Sequence, residues 1–191
     1  GPEVGRPREK RAEIERAVVR VVAEKGLQGT TVQDIAAAAG VSQGLMYRYW
    51  SGRDELAGDV FRMHLLRVLA RVGWSATSRS KTHRERLRWM VAEFLRFADE
   101  EPETLRFLLF TQHELSSAVP VEEGVHSFLV TVIRAGIATG EFQVRNADLA
   151  VQMAIGLVTQ PVVGQQYGRL KGAMVDHLHE ILAALERALG C

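Results

Sequence analysis

Helix-capping signals crowd the segment between Thr31 and Asp54, so the helices in this part of the chain must be short. The Thr31 hydroxyl can accept a hydrogen bond from a free backbone N–H, while Asp34 reaches back to the cap in the capping-box pattern. Gly40 suits the left-handed residue that closes a helix, and Ser42 is a good N-cap for the next one. Two short helices are therefore expected to meet at a steep angle across a tight turn.

The helix that begins at Gln43 is expected to turn one apolar side toward the protein interior. Met46 and Trp50 lie one helical turn apart and supply that side. At about 100° per residue, Gly44 and Arg48 fall on the opposite face. The sequence therefore predicts an exposed polar face on a helix held from behind.

Apolar residues recur at helical spacing along the chain, and no strand-like alternation stands out. A second capping box, Ser51–Asp54, is expected to begin a fourth helix that runs through Leu65. The polar stretch Ser75–Thr82 is expected to separate a small N-terminal unit from the later helices. The prediction is an all-α fold, with a three-helix helix-turn-helix domain over residues 8–55 and a larger helical domain over residues 56–191.

Two short helices around a tight turn form the outline of a helix-turn-helix, whose second helix enters the major groove of DNA. Gln43 can bind adenine through two hydrogen bonds, Arg48 can bind guanine or a phosphate, and Leu45 can touch a thymine methyl group. Gly44 lets the backbone approach the bases closely. Phosphates are expected to be contacted by hydroxyls, helix N-termini and charge: Thr31, Ser42, Tyr47, Tyr49 and Arg53. The alternative is an ordinary helical hairpin whose polar face is solvated.

Net charge does not decide between these alternatives. The chain has 24 Lys and Arg against 23 Asp and Glu, a formal charge of +1, so any basic surface has to be local. The basic residues near the N-terminus could form an arm on the DNA or a solvated tail, and the sequence leaves both open: Arg6, Arg8, Lys10 and Arg11.

Several other classes of protein and site are disfavoured. The only cysteine, Cys191, excludes an intrachain disulfide framework, and the cytoplasm is the expected location. The most apolar stretch, Leu149–Gly164, is interrupted by polar residues and proline, which favours a buried or interface helix over a membrane span. His177 and His179 lie about 200° apart on a helix without further ligands, so no metal or cofactor is predicted. No nucleophile motif or phosphate-binding glycine loop occurs, so no catalytic residues and no enzyme are predicted.

Together these motifs resemble the DNA-binding segment of the TetR family. The resemblance rests on Thr30–Ala36, Gly40–Trp50 and Arg53–Leu56, within a match from roughly Arg11 to Leu65. It implies that Arg53 takes the place of the family's phosphate-binding lysine or arginine. Trp50 replaces the usual phenylalanine, which is expected only to enlarge the core, and Leu45 replaces a small or hydroxyl residue. The residues that the resemblance implies face DNA are Gln33, Gln43, Gly44, Leu45, Tyr47, Arg48 and Tyr49.

The resemblance also implies a homodimer formed by the last two long helices, which binds a palindromic operator, and a ligand pocket among the middle helices. One helix-turn-helix covers only a few base pairs, so two-fold pairing of half-sites would supply the missing affinity. The leucine stripe from Val175 to Leu189 is the candidate seam. Side chains of the middle helices are candidate ligand contacts, although such stripes also suit plain core: Trp89, Phe94, Phe97, Phe107, Phe110, Thr111, His113 and Phe128.

The predicted function is a ligand-responsive transcriptional regulator of double-stranded DNA, a repressor that a small hydrophobic effector releases from its operator. Effector binding and dimerisation are assigned to residues 56–191. The alternatives are a helical small-molecule-binding protein or enzyme with an incidental helix-turn-helix, and a structural DNA-associated protein without an effector.

Overall fold

The chain folds into α-helices joined by short turns. The computed structural model describes the backbone of residues 5–191 and the side chains of residues 8–191. No strand occurs within those residues, which confirms the predicted all-α class. Short 3-10 turns cover Ser116–Ala118, Val121–Glu123 and Met174–His177. The α-helices are α1 (Gly5–Lys25), α2 (Val32–Ala39), α3 (Gln43–Tyr47), α4 (Arg53–Arg79), α5 (His83–Glu100), α6 (Pro102–Leu115), α7 (Val125–Ala138), α8 (Ala147–Gln166) and α9 (Leu178–Leu189).

These helices form two compact units, and neither unit is continuous in sequence. The first consists of the chain up to Leu65 together with Glu103–Val119, and the second of Leu66–Pro102 together with Pro120–Cys191. Helix α4 therefore begins in the first unit and ends in the second. The functional boundary between residues 55 and 56 stays a prediction; in the structure this position lies in the first turn of α4.

In the first unit, α1 buries the apolar stripe that the sequence predicts. Ile14, Val18 and Val22 are almost completely inside. Arg20, on the exposed side of α1, donates a hydrogen bond to the carbonyl oxygen of Ala38 at 3.0 Å. This bond ties α1 to the end of α2, so α1 supports the helix-turn-helix from one side.

Helix α6 supplies part of the interior of the first unit, although it lies far along the chain. Phe107 meets Phe61 of α4 edge-on, with ring centroids 6.2 Å apart. Arg106 donates from Nε to the carbonyl oxygen of Ala23 at 3.0 Å. Apolar packing and a hydrogen bond to the backbone thus hold α6 against both α4 and α1.

In the second unit, α5 lies at the centre, because α7, α8, α9 and the Met174–His177 turn all pack against it. Leu95 and Phe97 of α5 are fully buried. The Asp99 carboxylate accepts hydrogen bonds from the backbone N–H groups of Met174 at 2.6 Å and Val175 at 3.0 Å. These bonds cap the turn that leads into α9.

Helix α4 is longer than predicted. The stretch Ser75–Thr82 was expected to be a polar linker, but the helix continues through Arg79. Ser75 and Ala76 face the protein interior and are 5% and 0% exposed. The prediction was wrong because the buried residues of this stretch have small side chains. Without a large apolar residue at helical spacing, the exposed polar residues look like a linker in the sequence.

Three leucines of the predicted subunit seam face the interior of their own unit, which argues against a seam formed by them. Leu182, Leu185 and Leu189 are 7%, 1% and 0% exposed. Val175, the first residue of the predicted stripe, lies in the preceding 3-10 turn and not in α9. Helical periodicity identifies an apolar face but does not say what covers it.

Helix α8 keeps an uncovered apolar side. Among the described residues, α8 is the one helix long and apolar enough to cross a membrane. This is weak evidence for a membrane span, because core helices of other proteins have the same length and composition. Only 22% of its most apolar stretch is buried. Leu149 and Met153 remain 55% and 38% exposed. Of the two interpretations offered by the sequence, an interface helix fits this exposure better than a core helix.

Candidate nucleic-acid interface

The turn between α2 and α3 is built from the caps that the sequence predicts. Thr31 Oγ1 accepts from the Asp34 N–H at 3.1 Å, and Asp34 Oδ2 accepts from the Thr31 N–H at 3.0 Å. The backbone N–H of Thr31, followed by its hydroxyl, stabilises the ionised carboxylate and lowers the pKa of Asp34. Gly40 closes α2 with φ of 65°. Ser42 Oγ accepts from the Leu45 N–H at 3.2 Å and begins α3.

Helix α3 is held from behind by the two predicted residues. Met46 and Trp50 are 2% and 5% exposed. The Trp50 N–H donates to the Met46 carbonyl oxygen at 3.1 Å, so the helical path continues past the last residue of α3. The face opposite these two side chains must therefore point outward.

That outward face carries the side chains predicted to meet DNA. Gly44 is exposed, and the nearest atom to an added β carbon would be Ser42 Oγ at 3.9 Å, so the backbone there is open to close approach. Leu45 is half-buried, which leaves part of its side chain available for an apolar contact. Tyr47 and Tyr49 are 55% and 47% exposed, although aromatic residues usually pack inside. The exposed polar and aromatic side chains are Gln43, Tyr47, Arg48 and Tyr49.

The remaining residues predicted to contact phosphate, together with Gln33, which the family resemblance implies faces DNA, lie at the helix starts beside this face. Thr31, Gln33 and Ser42 are exposed at the starts of α2 and α3. Arg53 differs from them, because its side chain is 24% exposed and already bound. Nη1 donates to the carbonyl oxygen of Thr30 at 3.2 Å, and Nε donates to Asp54 at 2.8 Å. Three of its five N–H donors remain for a phosphate.

The basic residues near the N-terminus are not a separate arm where the structure describes them. Arg8, Lys10 and Arg11 lie within α1. Lys10 pairs with Glu13 at 3.1 Å, and Arg11 pairs with Glu15 at 3.0 Å. The side chain of Arg6 lies outside the described residues.

Known proteins are similar to this chain both in the sequence around the helix-turn-helix and in the overall fold. The family described as "Bacterial regulatory proteins, tetR family" matches residues 14–60. The HTH-type transcriptional regulator BetI of Brucella anthropi is 36% identical over 91 residues, which are 48% of this chain and 46% of that protein. A TetR family transcription regulator from Marinobacter aquaeolei VT8 superimposes with a TM-score of 0.78 and 25% identity, covering 97% of both chains. Residues 14–60 are therefore similar to the TetR family, and the fold is similar to that of a TetR-family regulator.

The similarity is uneven along the chain. The match to BetI covers about half the length of that relative. A transcriptional regulator FadR from Bacillus subtilis, in complex with stearoyl-CoA, superimposes with a TM-score of 0.80 over 91% of this chain and 96% of that one, at 21% identity. This likeness concerns the fold alone. The TetR-family sequence pattern is thus concentrated in the first unit, whereas the helical architecture extends over the second.

Trp50 stands where TetR-family proteins usually have phenylalanine, and this replacement was expected only to enlarge the core. In the structure, Trp50 also makes two specific contacts. Its indole Nε1 donates to Asp59 Oδ2 at 3.0 Å. The Arg11 guanidinium lies over the indole ring, 5.6 Å from its centroid. Sequence reasoning missed both partners. The available signal was the N–H group itself, since a buried indole needs an acceptor.

The second capping box uses a different acid from the one predicted. The Ser51 N–H donates to Glu55 at 2.7 Å, and the Ser51 hydroxyl donates to the same carboxylate at 2.5 Å. These bonds, the hydroxyl first, lower the pKa of Glu55. Asp54 instead pairs with Arg53 and so is not the capping acid. The spacing is one residue longer because the chain makes an extra bend before α4 begins.

The candidate ligand residues of α6 lie in the first unit. Phe107 is buried, and the Thr111 hydroxyl donates to its carbonyl oxygen at 2.6 Å. Phe110 is partly buried beneath the guanidinium of Arg106, 5.0 Å from the ring centroid. His113 is exposed. Phe107 thus has the surroundings of a core residue, whereas His113 faces outward.

The remaining candidates lie in the second unit. Trp89 is covered by Arg79 at 4.9 Å from the ring centroid, and Phe97 is fully buried. Phe94 and Phe128 are partly buried, and Phe128 packs against Gly73, where an added β carbon would lie 3.0 Å from the ring. A ligand role for any of these residues remains a prediction.

Two further observations concern small ligands. The first unit contains a cleft of about 330 Å³, and none of the predicted ligand residues lines it. Within the described residues, no group of three or more His, Cys, Asp or Glu side chains is placed to hold a metal ion. The lining residues of the cleft are Leu27, Gln28, Asp54, Gly58, Glu114, Leu115, Ser117 and Ala118.

Proposed function

We propose that the chain is a sequence-specific DNA-binding transcriptional regulator that inserts α3 into the major groove. One observation carries this proposal: Gln43, Tyr47 and Arg48 stand exposed on a helix whose opposite side is buried. A glutamine and an arginine are side chains that bind adenine and guanine edges through paired hydrogen bonds. The alternative, an ordinary helical hairpin with a solvated polar face, does not explain why two tyrosines are exposed beside these side chains.

The regulator acts as a homodimer on a palindromic operator in the cytoplasm. A single α3 covers few base pairs, so affinity and specificity require two half-sites one helical turn of DNA apart. The apolar residues that α8 leaves exposed, including Leu149 and Met153, support a subunit interface on this helix. The burial of Leu182, Leu185 and Leu189 within their own unit supports α8 over the α9 leucines for this role.

The effector is a small hydrophobic molecule whose binding releases the operator, so the chain represses without it. The FadR of Bacillus subtilis that shares this fold was crystallised with stearoyl-CoA, which supports an apolar ligand. An effector shifts the equilibrium only by its difference in affinity for the two conformations. A hundredfold release requires a difference of about 2.7 kcal/mol.

Selection from a randomised duplex library tests the DNA-binding proposal. We expect the purified chain to enrich one palindromic sequence and to elute as a dimer from a sizing column. The selected duplex would then be titrated with stearoyl-CoA, which is expected to release it. Enrichment of no sequence, together with thermal stabilisation by the ligand, would support a small-molecule-binding protein instead. Specific binding unaffected by any acyl compound would contradict only the effector class.

A further inference from the structure

A single side chain connects the recognition helix to two other helices of the first unit. Trp50, three residues after the end of α3, donates its indole N–H to Asp59 on α4 and lies beneath Arg11 of α1. Its own backbone N–H is bound to Met46 of α3. We propose that Asp59 is a positioning residue, which sets the orientation of α3 for base recognition without touching DNA. This inference rests on the proposed function.

The hydrogen bond to Asp59 restricts a motion that packing alone leaves open. A buried aromatic ring without polar atoms can rotate or slide within its pocket at small cost, whereas an indole whose N–H must reach one acceptor cannot. Trp50 is 5% exposed, whereas Asp59 is exposed, so the bond anchors the edge of a buried ring to a surface carboxylate. Without the carboxylate, the indole N–H would lose the one acceptor that fixes the ring, and the ring would be free to shift toward another partner.

A shift of Trp50 would move its neighbours and, with them, the side chains that are proposed to contact the bases. The ring centroids of Tyr49 and Trp50 lie 5.6 Å apart, with an interplanar angle of 54°. Met46, one turn earlier, shares the same buried side of α3. Because α3 has only five residues, it has no long packed surface of its own to fix its rotation. Its exposed side chains, Gln43 and Arg48, move with whatever holds Trp50.

Five proteins test the positioning role: the wild type, Asp59→Ala, Asp59→Asn, Trp50→Phe, and the double variant that combines Asp59→Ala with Trp50→Phe. Asparagine keeps an oxygen acceptor for the indole and removes the negative charge. Phenylalanine keeps the aromatic packing and removes the donor. The probe is the duplex that the wild type selects from a randomised library, alongside the same duplex with single base-pair substitutions in each half-site. The measured quantity is the discrimination ratio, the affinity for the selected duplex divided by that for the substituted one.

We expect Asp59→Ala to reduce the discrimination ratio about tenfold, the effect of misaligning one paired base contact. The ratio of Asp59→Asn should stay close to that of the wild type. Adding Asp59→Ala to Trp50→Phe should reduce the ratio no further, because the hydrogen bond is already gone. The dependence of affinity on salt should stay unchanged in all five proteins, since no phosphate contact is removed.

Three results would overturn the positioning role. An equal ratio in Asp59→Ala and the wild type, with affinity lowered for every duplex alike, would mean a purely structural contribution. An equally reduced ratio in Asp59→Ala and Asp59→Asn would mean that the charge of Asp59 matters and that its acceptor oxygen is not sufficient. Additive losses in the double variant would mean that Asp59 acts through another group. Failure of the proposed function is distinguishable, because the wild type itself would then enrich no sequence.

Discussion

The Arg53 guanidinium donates from Nη1 to the carbonyl oxygen of Thr30, 3.2 Å away. This bond joins the first turn of α4 to the residue that precedes the α2 cap. Thr30 is itself fixed, because its hydroxyl donates to the Gly26 carbonyl oxygen at 2.7 Å and only 1% of the residue is exposed. Arg53 therefore starts from a defined position, with free N–H donors for a phosphate.

Replacing Arg53 by alanine should weaken binding to all duplex sequences similarly. Loss of one phosphate contact per subunit is expected to flatten the slope of log affinity against log salt by about 0.9 per subunit. Titrations of a labelled duplex at several salt concentrations measure this slope. Arg145→Ala is the matched control, since Arg145 is exposed in the second unit. A changed base preference with an unaltered slope would show that Arg53 does not contact phosphate.

Replacing Gln43 by alanine should relax the base preference at one position in each half-site. The expected cost is about 1–3 kcal/mol of binding free energy per lost paired contact with a base. Affinities for duplexes with all four base pairs at each position measure the preference. Gln143→Ala, an exposed glutamine in the second unit, should leave every affinity unchanged. A uniform loss across all bases would assign Gln43 to the backbone instead.

Alanine at Gly40 and at Gly44 should have opposite effects on folding. Gly40 has φ of 65°, a conformation that costs an L residue about 1 kcal/mol. Gly44 lies in α3 with open space around it, so alanine there should stabilise the fold by about 0.5 kcal/mol. Urea denaturation measures both changes. Gly44→Ala should nevertheless weaken DNA binding, because its methyl group occupies the exposed face; unchanged affinity would remove Gly44 from the interface.

Changing Asp34 to asparagine should alter the acid side of the stability curve. The pKa of Asp34 is lowered in the folded chain, so its stabilising contribution is complete well above the ordinary value of 3.8 and is lost as the pH falls through the folded-state pKa. The wild type should therefore melt at a higher temperature than Asp34→Asn at neutral pH, and the two should converge in acid. Melting curves that stay parallel at all pH values would argue against an ionised capping carboxylate.

Glu93 should stabilise the second unit more than its neighbour Glu100. Its side chain is 10% exposed and accepts from Arg71 at 2.7 Å and Arg96 at 2.7 Å. The pKa of Arg71 is raised, chiefly by the bond to Glu93. Glu93→Ala should cost about 2 kcal/mol of unfolding free energy. Glu100→Ala removes the 51% exposed partner of the same arginine and should cost under about 1 kcal/mol. Equal costs in urea denaturation would contradict this ranking.

The local parts of the site were predictable from the sequence. The caps at Thr31, Gly40 and Ser42 depend on residues at most three positions apart, and the buried side of α3 follows from helical spacing. Short-range patterns of this kind fix the local geometry, so the bounds of α2, the start of α3 and its exposed face agree with the structure, although α3 ends at Tyr47, before Trp50.

The long-range parts were not predictable, because they depend on which surfaces meet. The bond between Trp50 and Asp59 joins side chains nine residues apart in sequence across two helices. The α9 leucines suit a subunit seam as well as a core, and only their burial in the second unit distinguishes the two. The capping role of Glu55 in place of Asp54 depends on a single additional residue in the bend before α4.

Because Phe107 and Ala118 complete the packing around Phe61 and Gly58, a protein cut after Leu65 would lose part of its own interior. The DNA-binding portion is thus not a transplantable module that ends where its sequence pattern ends. A chimaera that grafts it onto a different sensor should carry α6 along, or supply apolar side chains that substitute for it. Shuffling of such regulators would then conserve the pairing of these two stretches, even where everything between them is exchanged.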